Sequence, residues 1–118
     1  MKKTKILFIC HANMDRSPTA AKIYSNHPEL EVKSAGISWQ AYTIVSKELV
    51  EWADVILAME DDQKLYIEHK FSEVIAGKMI DSLDVQDEYD FMNPQLQNII
   101  KVRVNAWMEE NLKKGKEE

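Results

Sequence analysis

A cysteine and an arginine lie six positions apart, Cys10 and Arg16, between an apolar run at residues 6–9 and a helix-like segment at residues 19–26. Where a strand leads through a tight loop into a helix, backbone N–H groups collect around an anion. The same dipoles stabilise a cysteine thiolate, and an arginine can bind two phosphate oxygens with its forked guanidinium. The spacing therefore predicts a nucleophile that receives phosphate.

The elements on either side of this loop can be predicted from their composition. Residues 5–9 are β-branched and aromatic and apolar on both faces, which is typical of a central parallel strand buried between helices. Ser17 and Pro18 predict the start of a helix, with Ser17 as N-cap and Pro18 at the first helical position. We expect this helix to end near residue 26, because Pro28 cannot continue it.

The rest of the chain alternates in the same way. We expect further strands at 31–35 (an edge strand), 54–59 and 78–83, and further helices at 46–52, 60–70 and from Asn93-Pro94 to about 112. This order predicts an α/β three-layer sandwich, a four-stranded parallel sheet flanked by helices on both faces, with the phosphate loop after strand 1. Ligands of such sheets bind at the carboxyl ends of the strands, where Cys10 lies.

Length and composition suit a single domain over residues 1–118, with 113–118 as a charged tail that frays. The net charge of -5 disfavours nucleic-acid binding, and no segment has the length of a membrane span. A single cysteine excludes an internal disulfide and a multi-cysteine zinc site, and it fits a reducing cytoplasm. We therefore expect a cytoplasmic protein without a membrane or nucleic-acid partner, and a monomer by default.

Two further groups of residues are candidates for the site. Trp39 and Tyr42 lie on a predicted loop and either line the mouth of the site or cap the core. An acid-rich segment offers several carboxylates for proton transfer, and their spacing alone does not choose among Asp81, Asp84, Asp87 and Asp90.

The segment from Cys10 to Ala20 resembles the phosphate loop of the low-molecular-weight protein tyrosine phosphatases. The sequence pattern of that family is Cys-x-x-Asn-x-x-Arg-Ser-Pro, which here is met by Cys10, Asn13, Arg16, Ser17 and Pro18. The similarity continues in residues 34–36 and 52–59. It ends at Asp87-Glu88-Tyr89, which is similar to the Asp-Pro-Tyr or Asp-Pro-Phe loop of the family.

The resemblance implies a two-step hydrolysis of phosphate monoesters that needs no metal or cofactor. Cys10 would form a phosphocysteine, and Asp87 would act as general acid and then as general base, with Asp84 and Asp90 as alternatives. Ser17 would hydrogen-bond the sulfur, and Asn13 would brace the loop in a left-handed conformation. Phosphate would be held by the loop amides and the guanidinium, that is, by His11, Ala12, Asn13, Met14, Asp15, Arg16 and Ser17.

The implied substrate is a phosphotyrosine protein or a small aryl phosphate, with inorganic phosphate as a product. An aromatic wall beside the phosphate would suit such a ring, and the candidates for it are Trp39, Tyr42 and Tyr89. The segment between Gly36 and Trp52, which helps to build this wall in typical members, is much shorter here.

Other departures from the family pattern concern the phosphate loop and the acid loop. Asp15 replaces a cysteine that many members carry, so a carboxylate opposes thiolate and phosphate unless it points away or pairs with Arg16. Ala12 replaces a loop glycine, Ala21 a helix glutamate, and Glu88 the proline of the acid loop.

Three other classes of protein share parts of this pattern. A phosphate- or phosphotyrosine-binding module of the same fold would keep the site without turnover. A phosphotransfer carrier would need neither Arg16 nor an acid loop, and both are present. An arsenate reductase would need additional cysteines.

Overall fold

The computed structural model describes residues 2–112 and contains four strands that alternate with four helices. The elements are β1 (Thr4–Cys10), α1 (Arg16–Ile23), β2 (Leu30–Gly36), α2 (Lys47–Trp52), β3 (Val55–Ala58), α3 (Asp61–Lys70), β4 (Met79–Ser82) and α4 (Pro94–Asn111). All neighbouring strands are parallel, in the order β2-β1-β3-β4. The predicted four-stranded parallel sheet is confirmed, and so is β2 as an edge strand. The predicted fraying of residues 113–118 lies outside the described residues.

The sheet is covered on both faces, as its apolar strands predict. Along β1, alternate side chains enter two separate cores. Phe8 packs with Leu96 and Ile100 on the side of α1 and α4, whereas Leu7 packs with Val50 and Ile67 on the side of α2 and α3. Because both faces of the sheet are buried, its central strands carry no polar alternation. This arrangement confirms the three-layer sandwich.

The register of the sheet sets which residues meet at its carboxyl edge. Cys10 at the end of β1 is opposite Gly36 at the end of β2, and Ile9 is opposite Ala58 at the end of β3. The segments that follow β1, β2, β3 and β4 therefore converge on one edge of the molecule. The predicted site lies at this edge.

The start of α1 differs from the sequence prediction. Ser17 was predicted as its N-cap, which is wrong, because the helix begins at Arg16 and Asp15 is the N-cap residue. The hydroxyl of Ser17 is unavailable for capping, since it is buried and contacts Cys10 and Asn13. The helix also ends three residues earlier than predicted, because Tyr24 already has the conformation of a C-cap.

The predicted start of α4 is confirmed. The side chain of Asn93 accepts a hydrogen bond of 2.8 Å from the amide of Gln95, and Pro94 occupies the first helical position. The apolar face of α4 is buried as its spacing predicts, with Leu96, Ile100, Val104 and Trp107 inside and Met108 half-buried. None of the helices within residues 2–112 is long and apolar enough to cross a membrane.

The inner face of α3 includes a polar residue. Gln63 is buried together with Ile67, whereas the apolar Leu65 is exposed. The side-chain oxygen of Gln63 accepts hydrogen bonds from the amides of Met59 and Glu60, at 3.0 and 3.1 Å. Together with the Glu60 side chain this forms a capping box, which fixes the phase of the helix.

Candidate active site

The predicted phosphate loop, residues 10–16, connects the end of β1 to the first turn of α1. Because it carries Cys10, we also call it the nucleophile loop. Cys10 and Arg16, the residues predicted to be the nucleophile and the phosphate ligand, are almost fully buried, at 2% and 3% exposed. The exposed side chains of the loop are those of His11 and Met14. Its conformation decides what can bind there.

The carbonyl groups of the loop are bound on its outer side by the chain that follows β2. Ile37 donates to the carbonyl of Cys10 at 3.1 Å, Ser38 to that of His11 at 2.9 Å, and Tyr42 to that of Ala12 at 3.3 Å. A trans peptide places its N–H opposite to its C=O, and no peptide among the described residues is cis. The amides of His11, Ala12 and Asn13 are therefore directed to the inner side of the loop.

The sulfur of Cys10 lies on that inner side. The amide of Asn13 donates to Cys10 Sγ at 3.2 Å, and Ser17 Oγ lies 3.0 Å from the same sulfur. An ionised sulfur can only accept hydrogen bonds, so Ser17 must be the donor once the thiol has lost its proton. Both contacts favour negative charge on the sulfur.

Asn13 braces the loop from within. Its φ of 55° is left-handed, a conformation that asparagine tolerates better than most residues, so the expectation for its backbone is confirmed. Its side-chain amide donates to Ser17 Oγ at 2.9 Å and to Ser34 Oγ at 3.0 Å, and its oxygen accepts from the amide of Thr43 at 3.2 Å. One side chain thus joins the loop to β2, to α1 and to the segment after β2.

Gly36 allows the close approach of β2 to the loop. A Cβ at this position would lie 2.6 Å from the carbonyl oxygen of His11 and 2.9 Å from the amide nitrogen of Asn13. Both of these atoms belong to the backbone and cannot turn aside. The residue after Ala35 must therefore lack a side chain for the loop to keep its conformation.

The guanidinium of Arg16 is held in a fixed orientation. Its Nη1 forms an ion pair with the carboxylate of Glu60 and donates to the carbonyl of Val85 at 2.8 Å. Its Nε lies 4.0 Å from Asp87 Oδ1. Both hydrogen bonds use the same nitrogen, and neither of them involves Nη2.

Asp15 points away from the sulfur. Its carboxylate accepts a hydrogen bond of 2.9 Å from the amide of Phe91, which lies in the segment between β4 and α4. Within residues 2–112, the ion pairs of Arg16 are with Glu60 and Asp87, not with Asp15. Of the two arrangements considered from the sequence, the structure therefore has the one in which the carboxylate turns outward.

The acid loop, residues 84–92, follows β4 and covers Arg16. Of the aspartates at positions 81 to 90, Asp87 is the one that approaches the guanidinium, and its side chain is 65% exposed. Asp81 instead accepts from Trp107 Nε1 at 2.7 Å, which directs it to α4. Asp84 and Asp90 are exposed, and Asp84 has a left-handed backbone with a φ of 57°.

The aromatic candidates occupy different environments. Trp39 and Tyr42 are 80% and 81% exposed, so the interpretation that they cap the core is wrong. The segment that carries them binds the carbonyls of the phosphate loop through its backbone, and both side chains are directed to solvent. Tyr89 is half-buried and packs against the core on the side of α1 and α4. Met14 and Phe91, which sequence analysis did not single out as wall residues, are also exposed.

Two contributors to the site were missed from the sequence, Glu60 and Ser34. Glu60 follows β3 at the carboxyl edge of the sheet, where ligand-binding residues concentrate. Its position in the sequence could therefore have predicted it as a residue of the site. Ser34 lies two residues before Gly36 and so faces the same side of β2, but nothing in the sequence pairs it with Asn13. The predicted residues Cys10, Asn13, Arg16, Ser17 and Asp87 do lie together.

Comparison with known proteins gives no matching family model and no matching curated protein. Solved structures do match. The YwlE arginine phosphatase from Geobacillus stearothermophilus is 23% identical, with a TM-score of 0.64 over 92% of this chain and 97% of that one. The low-molecular-weight protein tyrosine phosphatase from T. tengcongensis is 20% identical, with a TM-score of 0.69 over 92% and 99%. Vibrio vulnificus Wzb, solved with benzylphosphonate, is 19% identical, with a TM-score of 0.73 over 91% and 98%.

These similarities define the class of the protein by its fold. It is an α/β sandwich in which the predicted phosphate loop connects β1 and α1. The chain has the fold of the low-molecular-weight protein tyrosine phosphatases and resembles them over more than nine-tenths of its length.

Proposed function

We propose that the protein hydrolyses phosphate monoesters through a phosphocysteine on Cys10. The observation that carries this proposal is the position of Cys10 Sγ, which lies within hydrogen-bond distance of Ser17 Oγ and of the Asn13 amide on the inner side of the loop. A nucleophilic sulfur needs such donors to hold negative charge. The loop amides that face it are suited to bind the three equatorial oxygens of a phosphoryl group.

In the first step, the thiolate attacks phosphorus and an S–P bond forms while the P–O bond to the leaving group breaks. Protonated Asp87 donates its proton to the departing oxygen. The guanidinium of Arg16 stabilises the charge on the phosphoryl oxygens. Because Nη1 is already bonded to Glu60 and Val85, we assign the contacts with phosphate to Nε and Nη2.

In the second step, water attacks the phosphocysteine. The carboxylate of Asp87, now ionised, takes a proton from the water, the S–P bond breaks, and inorganic phosphate and the thiolate are released. The exposed position of Asp87 beside Arg16 supports both roles, since it is open to the leaving group and to water. The same residue therefore serves as acid and then as base.

The substrates we propose are aryl phosphates, including phosphotyrosine. Trp39 and Tyr42 are exposed and belong to the segment that binds the phosphate loop through its backbone, and we assign to their rings the contact with an aromatic leaving group. Proteins of this fold include one named an arginine phosphatase and one named a tyrosine phosphatase, so the fold alone does not select the substrate. The aromatic rim is the reason for our choice.

Hydrolysis of p-nitrophenyl phosphate across pH by the wild type, Cys10→Ser and Asp87→Asn tests the proposal. We expect turnover in the wild type, its loss in Cys10→Ser, and a changed pH profile in Asp87→Asn. Asp90→Asn, a neutralised carboxylate of the same loop, serves as the matched control and should keep the wild-type profile. Turnover that survives in Cys10→Ser would contradict the proposal, and vanadate binding without turnover would favour a phosphate-binding module.

The substrate class needs a separate comparison. A phosphotyrosine peptide and a peptide of the same sequence with phosphoarginine should be assayed with the wild type and with Trp39→Ala/Tyr42→Ala. We expect faster release of phosphate from phosphotyrosine and a selective rise of KM for that peptide in the double variant. Preference for phosphoarginine would contradict the proposed substrate class and leave the phosphocysteine intact.

A further inference from the structure

The acid loop is attached to the nucleophile loop at both of its ends. At its start, the carbonyl of Val85 accepts from Arg16 at 2.8 Å, and the amide of Val85 donates to the carbonyl of Met59 at 2.7 Å. Arg103 of α4 donates to the carbonyls of Leu83 and Asp84, at 2.6 and 2.8 Å. This end is therefore fixed to β3, to α4 and to the guanidinium.

The far end of the acid loop is held by side chains from the start of α1. Consecutive amides, those of Phe91 and Met92, donate at 2.9 Å to Asp15 Oδ1 and Thr19 Oγ1. Asp15 and Thr19 are four positions apart and so lie on the same face of the helix start. The backbone of Met92 is left-handed, with a φ of 62°.

Asp87 lies between these two attachments, and its own side chain is largely exposed. Its position above Arg16 is therefore set by the backbone of the loop. Among the anchoring groups at the far end, Thr19 is fully buried, whereas Asp15 is half-buried and supplies a charged acceptor, the stronger kind for an amide. Its carboxylate reaches the loop directly from the N-cap of α1.

We propose that Asp15 is a positioning residue for the general acid. By holding the amide of Phe91, its carboxylate keeps the acid loop against the nucleophile loop and Asp87 within reach of the leaving group. This inference rests on the proposed phosphatase function, because it assigns a role in the first step of that reaction. The proposed role also explains why a carboxylate, that of Asp15, is present close to a site that binds phosphate.

A kinetic test uses two substrates that differ in their need for an acid. Phenyl phosphate has a poor leaving group and p-nitrophenyl phosphate a good one. We expect Asp15→Ala to lower kcat/KM, which covers the steps up to release of the leaving group, about tenfold for phenyl phosphate and no more than about threefold for p-nitrophenyl phosphate. Asp15→Asn keeps an oxygen acceptor and should restore most of the rate. Asp62→Ala, which removes an exposed carboxylate at the start of α3, should match the wild type.

The double variant shows whether Asp15 acts through Asp87. If it does, adding Asp15→Ala to Asp87→Asn should change kcat/KM for phenyl phosphate less than about twofold. An equal loss of kcat/KM for both substrates, or a full further loss of kcat/KM in the Asp87→Asn background, would overturn the proposal. Either result would place the effect on the nucleophile loop.

Amide exchange of Phe91, measured by NMR, tests the anchor without turnover. We expect this amide to be protected in the wild type and in Asp15→Asn and to exchange at least about tenfold faster in Asp15→Ala. Unchanged exchange would overturn the inference. If the wild type hydrolysed neither substrate, the proposed function would fail instead, and the exchange of Phe91 would still decide whether Asp15 anchors the loop.

Discussion

Ser17 Oγ lies 3.0 Å from Cys10 Sγ, and both residues are buried. The same hydroxyl accepts from the side-chain amide of Asn13 at 2.9 Å, and the backbone of Asn13 donates to the sulfur. The three residues form a closed set of contacts in which each supports the other two. This set ties the sulfur of β1 to the first turn of α1.

Replacing Ser17 with alanine should weaken the nucleophile. The variant removes the hydroxyl that donates to an ionised sulfur and leaves the Asn13 amide without one of its acceptors. We expect alkylation of Cys10 by iodoacetate at pH 7 to slow about tenfold and kcat to fall by a similar factor. Ser25→Ala, which alters an exposed serine just after α1, is the control. Equal alkylation rates in Ser17→Ala and the wild type would contradict this role.

Gly36→Ala should distort the phosphate loop. The added Cβ would meet the backbone of His11 at 2.6 Å, so the loop must move. We expect a loss of about 1–3 kcal/mol in the free energy of unfolding together with weaker binding of vanadate.

Gly77→Ala is the matched control for that experiment. Its Cβ would meet nothing within 4 Å, although its φ of 82° disfavours alanine. We expect a loss of about 1 kcal/mol of stability and unchanged vanadate binding. Urea titration and vanadate titration of both variants separate the two effects. Unchanged vanadate affinity in Gly36→Ala would contradict the close approach of β2 to the loop.

Glu60→Gln should destabilise the fold by removing the ionic partner of a buried guanidinium. The glutamine is nearly isosteric and can still cap α3, so the lost charge is the main change. Because Glu60 is partly exposed, we expect a moderate loss of about 1–2 kcal/mol. Urea titration should show that this loss shrinks in an Arg16→Ala background. An undiminished loss there would show that the cap, not the ion pair, is responsible.

Tyr24 should make the fold sensitive to alkali. Burial raises the pKa of Tyr24 from 10.0 to about 12, and its hydroxyl donates to Asn105 Oδ1 at 2.9 Å. Above pH 10 the unfolded chain loses the phenol proton while the folded protein keeps it, so stability falls as the pH rises from 10 toward 12. Tyr24→Phe should lose this part of the pH dependence, whereas Tyr42→Phe, at an exposed ring, should retain it. Thermal unfolding between pH 9 and about 11 measures both, and an identical slope in Tyr24→Phe and the wild type would contradict the assignment.

Local sequence patterns were enough to predict the sheet and the nucleophile loop. The strand β1 follows from its own apolar run, and the start of α4 follows from the pair Asn93-Pro94, so each depends only on residues that are adjacent in the sequence. Contacts between distant segments were not predictable in this way. Arg16 with Glu60 and Asp15 with Phe91 depend on which segments the sheet order brings together at its carboxyl edge. The N-cap of α1 was wrongly predicted for the same reason, since the hydroxyl of Ser17 contacts the sulfur of Cys10 instead.

Trapping of the covalent intermediate tests the account most directly. Asp87→Asn should still form phosphocysteine from p-nitrophenyl phosphate, whose leaving group needs little protonation, but should hydrolyse it slowly for lack of a base. Acid quenching followed by mass spectrometry of peptides should then find one phosphoryl group on Cys10, and none in Asp87→Asn/Cys10→Ser. Release of nitrophenol with no phosphoryl group on Cys10, or with the group on another residue, would contradict the account.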